Sequence, residues 1–558
     1  MSRARVTLIK PIDLSHHVKY STHDSLGDTG LKVTKAAIIR QAQHAKKDIA
    51  SGHVSTDAQR AVDTLADYSN AAVELLELAL DEAVKEQPDQ ALVDTFIFLF
   101  GKASEALRLD IEAGYKTASD VAETVRKRLV AASQSGAVDP SVILSLAQSF
   151  GVAKLDLGED LPAVVEHLIE QVGAANAGDD GPAAMLGFVA DLVKQVNGDA
   201  FALFSCFEET SVGVPDESRA AMPMALLFSG EAAAAEAAIG WLLDSATSVR
   251  RATANALADA ARKGNVTPTM LRRMIAMRNW LPDDSRSALD AAVATARRKG
   301  VSPAQWDEVE LRQLITAGID GSGAIGVLAH CRNQRKNVLG SLVLKHGVGV
   351  RDAWAQQGLT QKEIDRAFLD AAVLDQFTIA PDFLPAAVGH FLALGLETGV
   401  MPPFGLVRFL EAVGVSSVQP QLMSAASLLD TIEEGHAIDA DAFEQLLADG
   451  FELAADYVFI DSWFEGGDEV DAVLMRNRQA RNKRQALIME KVLEPRREWW
   501  MQMTAWAAWI LYRAEDDERW QEFYAAASAM VQGRALQEIS LMHTVAAQTV
   551  AAWEHRQD

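Results

Sequence analysis

Cysteine is nearly absent: Cys206 and Cys331 are the only two in 558 residues, far apart and in no CxxC pair. That excludes a disulfide framework and a cysteine-based zinc site, and it fits a reducing compartment. Aromatic residues make up only 7% of the chain, and long β-branched runs are scarce. No signal peptide is visible, because the basic start MSRARVTLIKPIDLSHH has no apolar stretch behind it. The longest uncharged apolar run, the fourteen residues Trp499–Tyr512, is too short to span a bilayer. These absences point to a cytoplasmic chain with no membrane span.

What is present is ordinary for a folded protein: 49% hydrophobic and 23% charged residues, rich in alanine and leucine. The formal net charge of −25 opposes nucleic acid and anionic membranes at long range. A nucleic-acid binder of this composition needs a local basic patch.

The organising feature is an internal repeat. Arg250–Gly264 laid over Arg286–Gly300, a shift of 36, matches at eight of fifteen positions. Each copy ends Arg-Lys-Gly, cations and a glycine that suit a helix C-terminus. Thr267-Pro268 and Ser302-Pro303, 35 apart, read as a cap followed by a first-turn proline. A unit of two helices and two turns cannot bury its apolar face alone and predicts stacked neighbours. Asp244, Val249, Arg250, Ala252, Ala256 and Leu257 resemble the second-helix pattern of HEAT-type repeats over about 216–305. The resemblance implies an Asp and an Arg that hold successive units in register.

The expected fold is therefore all-α: an α-solenoid of HEAT-like two-helix repeats flanked by helical bundles. Four regions are expected: a poorly ordered tail at 1–35, helices at 36–180, a repeat region at 181–451, and a Trp-rich helical region at 452–558. Within the second, ALVDTFIFLFGKASEAL is apolar nearly all round and reads as a buried helix. Ser135-Gly136 closes one helix and Asp139-Pro140 opens the next.

Chemical motifs are few. Gly321-Ser322-Gly323-Ala324-Ile325-Gly326 spells GxGxxG, but a dinucleotide site needs a strand before it, and LRQLITAG reads as helix. The stretch is expected to be a flexible loop between helices. Glu433 and His436 give one ExxH where a di-iron bundle needs two. His167 and Glu170 read as a surface pair on a helix, and His16, His17 and His23 as a solvated tail. His330 and Cys331 are adjacent on an expected helix and point about 100° apart, which rules out a dyad. No catalytic, metal or cofactor-binding residue is assigned.

The interaction candidates lie near the C-terminus. Seven of eleven tryptophans fall between Trp463 and Trp553. An acidic block (Asp456, Asp461, Glu465, Asp468, Glu469, Asp471) precedes a basic run that holds Arg476, Arg478, Arg481, Lys483, Arg484, Arg496 and Arg497. Trp499 and Trp500 follow, placed to stack bases if the cations meet phosphates. Against that, the acidic block offers internal partners, and Trp499, Trp506 and Trp509 share a core-type spacing. The Arg/Lys ridge of 250–299 is a second basic candidate. The expected function is a non-enzymatic scaffold that binds a protein partner. The alternatives are nucleic-acid association through 475–497 or the ridge, and an enzyme whose site is not visible as a motif.

Overall fold

The computed structural model describes residues 35–50, 70–176, 181–436, 438–449, 457–475, 481–514 and 519–555. His16, His17, His23, Asp456, Arg476 and Arg478 lie outside them. The chain forms two compact units, one running up to Ala238 and the other from Ile239 to His555.

The described part of the first unit is helical: α1 (Lys35–Ala50), α2 (Ala71–Ala83), α3 (Gln90–Glu112), α4 (Lys116–Ser135), α5 (Pro140–Val152), α6 (Leu161–Asn176), α7 (Gly181–Gln195), α8 (Ala200–Thr210), α9 (Asp216–Leu227) and α10 (Ala232–Ala237). Residues of α1 to α6 share one core, in which α3 contributes Phe96, Leu99 and Phe100 and α5 contributes Phe150. The Phe100 and Phe150 rings stack 6.4 Å apart. The punctuation works as its chemistry dictates. Gly136 ends α4 at φ +62, and Asp139 accepts from the Ser141 amide ahead of Pro140.

The second unit opens with the repeat. Its two copies are α11 (Thr247–Lys263) and α13 (Asp283–Arg298), joined through α12 (Pro268–Met277). Ala256 and Ala260 in α11, and their equivalents Ala292 and Ala296 in α13, are all buried, so small residues let the two helices pack closely. Gly264 and Gly300 end them at φ +83 and +84. Each copy's arginine turns back to the chain entering its own helix: Arg250 donates to the Asp244 and Ser245 carbonyls, Arg286 to that of Leu281. Arg250 Nε also donates to Ser285 Oγ of α13 at 3.4 Å.

There the repeat stops, and with it the all-α solenoid. A third copy at the same spacing would begin at Ser322. That residue instead sits between β1 (Val309–Thr316) and β2 (Ala324–Asn333) of a five-stranded antiparallel sheet. β3 (Lys336–Lys345) and β4 (Gly349–Leu359) continue the meander, and β5 (Phe377–Thr378) joins the far side of β1, giving the order β4-β3-β2-β1-β5. The helical repeat region expected at 181–451 is thus interrupted by a sheet. Ser302-Pro303 leads into a segment without regular secondary structure rather than a helix. The physical reason is burial on both faces: β2 and β3 read as continuous apolar runs, and periodicity alone cannot separate such a strand from a buried helix.

Both faces carry helices. α14 (Gln361–Ala371), held by a Thr360–Glu363 capping box, sets Ile364, Ala367 and Ala371 against Ile315, Leu328 and Leu339. The opposite face takes α15 (Phe383–Thr398) and α16 (Gly405–Val413). A Cβ on Gly340 would meet the Phe409 ring at 2.9 Å, so a glycine in mid-strand makes room for that ring. The remaining helices are α17 (Ala425–Glu433), α18 (Ala440–Asp449), α19 (Asp468–Met475), α20 (Arg481–Ile488), α21 (Arg497–Arg513), α22 (Trp520–Val531) and α23 (Ser540–His555). No described helix is long and apolar enough to cross a membrane.

Candidate functional site

Among the described residues, a group of buried polar atoms with unmet hydrogen-bonding capacity lies within the second unit, where the β3–β4 turn, α15 and α21 meet. The turn supplies His346, followed by Gly347 at φ +78. α15 supplies His390, which is 3% exposed. Trp499 and Trp506 come from α21, seven residues apart and so on one face. His346 lies 5.0 Å from the Trp499 ring, and His390 lies 5.0 Å from Trp506.

One ring nitrogen of each histidine is unmatched: His346 Nδ1 and His390 Nε2 are buried without a hydrogen-bond partner, as are the indole nitrogens of Trp499 and Trp506. Burial pushes the His346 pKa below its ordinary value. For His390, burial and then the neighbouring His346 lower it to about 4. Both rings are therefore neutral at neutral pH. His390 Nδ1 accepts the Met423 amide at 2.9 Å, so its own proton sits on Nε2.

Beside this group Glu465 anchors the tryptophan core. Its carboxylate accepts Trp500 Nε1 at 2.9 Å and Arg496 Nε at 2.7 Å, and its amide donates to Thr549 Oγ at 3.0 Å. Burial raises the Glu465 pKa, against the pull of Arg496 and Trp500. Trp463 Nε1 donates to the Ile319 carbonyl at 2.8 Å, tying the core to the β1–β2 loop. We expect Trp500→Phe, which keeps a ring but deletes the donor to Glu465, to cost about 1–3 kcal/mol in urea unfolding. A loss below about 0.5 kcal/mol would show that this bond contributes nothing.

The residues singled out from the sequence are not brought together as one cationic face. Arg484 pairs with Glu554 at 2.8 Å and lies over Trp553; Arg481 reaches the same carboxylate at 3.7 Å. Arg496 lies over Trp499 while it pairs with Glu465. Arg497 donates to Glu494 and to the Arg534 carbonyl. Lys483 is exposed, Trp500 is fully buried, and Trp499 is half-buried against His346. The 250–299 ridge divides in the same way. Arg272 and Arg273 converge on Glu411, Arg278 holds Asp290, and Arg250 is buried.

Other motifs resolve locally. The GxGxxG stretch is not a flexible loop between helices but an ordered β1–β2 connection. Asp320 there accepts from the Ser322 amide and hydroxyl and from the Ala324 amide. His330 and Cys331 are neighbours on β2 and project to opposite faces, so a dyad is absent for a reason other than helical geometry. Burial pushes the Cys331 thiol up to about 12. His167 and Glu170 form an exposed pair at 4.0 Å. His436 packs on Tyr512 and Trp520 at the end of α17. Among the described residues, no group of three or more His, Cys, Asp or Glu is placed to hold a metal ion.

Sequence reasoning missed His346 and His390. Neither sits in a motif, and only the fold joins a hairpin turn to a helix that follows three further elements. Glu465 was visible as part of the acidic block, and its pairing with Arg496 is the internal neutralisation that block offered.

Two family profiles match this chain: "Y4lR second domain" over residues 215–300 and "Y4lR C-terminal helical domain" over 425–554. The sheet lies between the two matched stretches. No solved structure matches the chain. Among curated proteins it is similar to the "Uncharacterized protein y4lR" of Sinorhizobium fredii (strain NBRC 101917 / NGR234), at 26% identity over 487 residues, covering 84% of this chain and 90% of that protein.

Proposed function

We propose that the chain is a non-enzymatic binding protein whose partner is another protein. The observation that carries this reading is on α14. Its inner face is buried on the sheet, yet Leu369 near its end and Val373 in the turn that follows it are 65% and 51% exposed. Large apolar side chains left exposed at the end of a helix offer a surface that a protein partner covers and water does not favour. The nucleic-acid alternative draws less support, because many cations of both basic stretches are bonded to internal carboxylates and carbonyls.

The test is purification of the tagged chain from its native host, beside the double variant Leu369→Asp/Val373→Asp. The expected result is a stoichiometric protein partner bound at least roughly tenfold more weakly by the variant, whose unfolding midpoint is unchanged. Undiminished binding by the variant would overturn the assignment of this face. Salt-sensitive retention of nucleic acid in place of a protein would overturn the reading itself.

A further inference from the structure

We propose that His390 and the Met423 amide form a proton-operated clamp, closed while His390 is neutral, that holds the strap leading into the C-terminal helices against α15. The strap, residues 418–424, runs from the α16 side of the sheet to the first residue of α17. It is stitched along its length. Trp280 Nε1 donates to the Val418 carbonyl at 3.2 Å, and the Gln421 amide donates to the Gly389 carbonyl at 3.0 Å. The Met423 peptide is held from both sides: its amide donates to His390 Nδ1 at 2.9 Å, and its carbonyl accepts Gln502 Nε2 of α21 at 2.9 Å. Ser424, the next residue, caps α17.

The chemistry of Nδ1 makes this tie proton-sensitive. In the closed state Nδ1 must present a lone pair to the Met423 N–H. A second proton on His390 has only that nitrogen to go to. Protonation turns the acceptor into a donor that faces a donor, so the Met423 bond is lost and an amide is left without a partner.

The surroundings do not accept the charge. From the β3–β4 turn the facing titratable group is His346, which repels a cation. From α21 the ring meets the neutral Trp506, and the strap is held by the neutral Gln502. On α15 itself Phe391 lies edge-on at 5.0 Å. Arg496 approaches the His346 side through Trp499 but is held by Glu465. No facing carboxylate is present among these groups.

The sign follows. His390 titrates near 4 when closed, and opening moves it towards its ordinary 6.5 as far as it lets water reach the ring. The clamp's stability is complete above about 6.5 and declines as pH falls towards 4. Between pH 7 and 4.5 the opening equilibrium of the strap is expected to rise, by at most roughly 50-fold where opening exposes the whole ring.

The experiment is residue-resolved hydrogen exchange of the full chain across this range, corrected for intrinsic exchange, with the His390 ring titrated by NMR. In the wild type the amides of 421–425 are expected to lose protection as His390 takes its proton. His390→Gln offers an oxygen acceptor that does not titrate, and its profile is expected to be flat. A flat wild-type profile overturns the proposal, as does a transition that persists in His390→Gln. If that variant does not fold, the wild type decides alone: loss of protection at a pH other than that of His390 protonation overturns it.

Discussion

Replacing Glu411 by alanine is expected to destabilise the second unit by about 3–5 kcal/mol. Glu411, on α16, receives Arg273 through two bonds of 3.0 and 3.1 Å and Arg272 through a third of 2.9 Å. Arg273 is only 7% exposed, and Arg272 also lies over Trp306 and donates to the Gln305 carbonyl. Removing the carboxylate strips two largely buried guanidinium groups of the anion they share. The penalty comes from that uncompensated charge more than from the lost attraction. Glu411→Gln keeps an acceptor of the same length and is expected to cost less, about 1–3 kcal/mol. Urea unfolding followed by the chain's total tryptophan fluorescence and by circular dichroism measures both. A loss below about 1 kcal/mol for the alanine variant would show that water reaches the arginines. This cluster joins α12, between the two repeat helices, to α16 on the sheet, so the same change tests whether repeat and sheet unfold together.

That cluster also shows what a sequence conceals. Arg272 and Arg273 are adjacent cations on an exposed-looking helix, and nothing local marks a glutamate more than a hundred residues away as their partner. Local chemistry was legible: Asp139-Pro140, Gly136, Gly264 and Gly300 each cap a helix where their backbone preferences put them. The helix pair of the repeat was legible because its matched alanines, Ala256 with Ala292 and Ala260 with Ala296, occupy equivalent buried positions. Its extension into a solenoid was not. β3, KNVLGSLVLK, has helices on both sides, so it lacks the alternation that betrays a half-exposed strand. Trp499 and Trp506 could be placed on one helix face from their spacing. The histidines they touch could not, since His346 and His390 are isolated letters until the sheet brings its turn against α15.

The glycines of Gly321-Ser322-Gly323-Ala324-Ile325-Gly326 give the other large effect, and a gradient that separates packing from ligand binding. A Cβ on Gly321 would stand 1.8 Å from the Ser462 carbonyl oxygen, a backbone atom fixed by the 3-10 turn Val458–Ser462. The Gly321 amide also donates to Ser462 Oγ at 2.8 Å, so the two segments cannot part without breaking that bond. Gly321→Ala is expected to cost about 3 kcal/mol. At Gly323, φ is +78 and a Cβ would meet both His346 and Trp499 at 2.9 Å; Gly323→Ala is expected to cost about 1–3 kcal/mol. At Gly326 the nearest atom is Ala317 Cβ at 4.0 Å, ordinary contact, and alanine suits a strand better than glycine does. Gly326→Ala is expected to change stability by less than about 0.5 kcal/mol. In a phosphate-binding loop the need for glycine comes from the ligand, and in its absence the three substitutions have no reason to fall in this order. Thermal unfolding of the three single variants, with nothing added, measures the order directly. A tolerated Gly321→Ala would mean that the β1–β2 loop is free to move away from the 458–462 turn, and the packing account of this motif would fall.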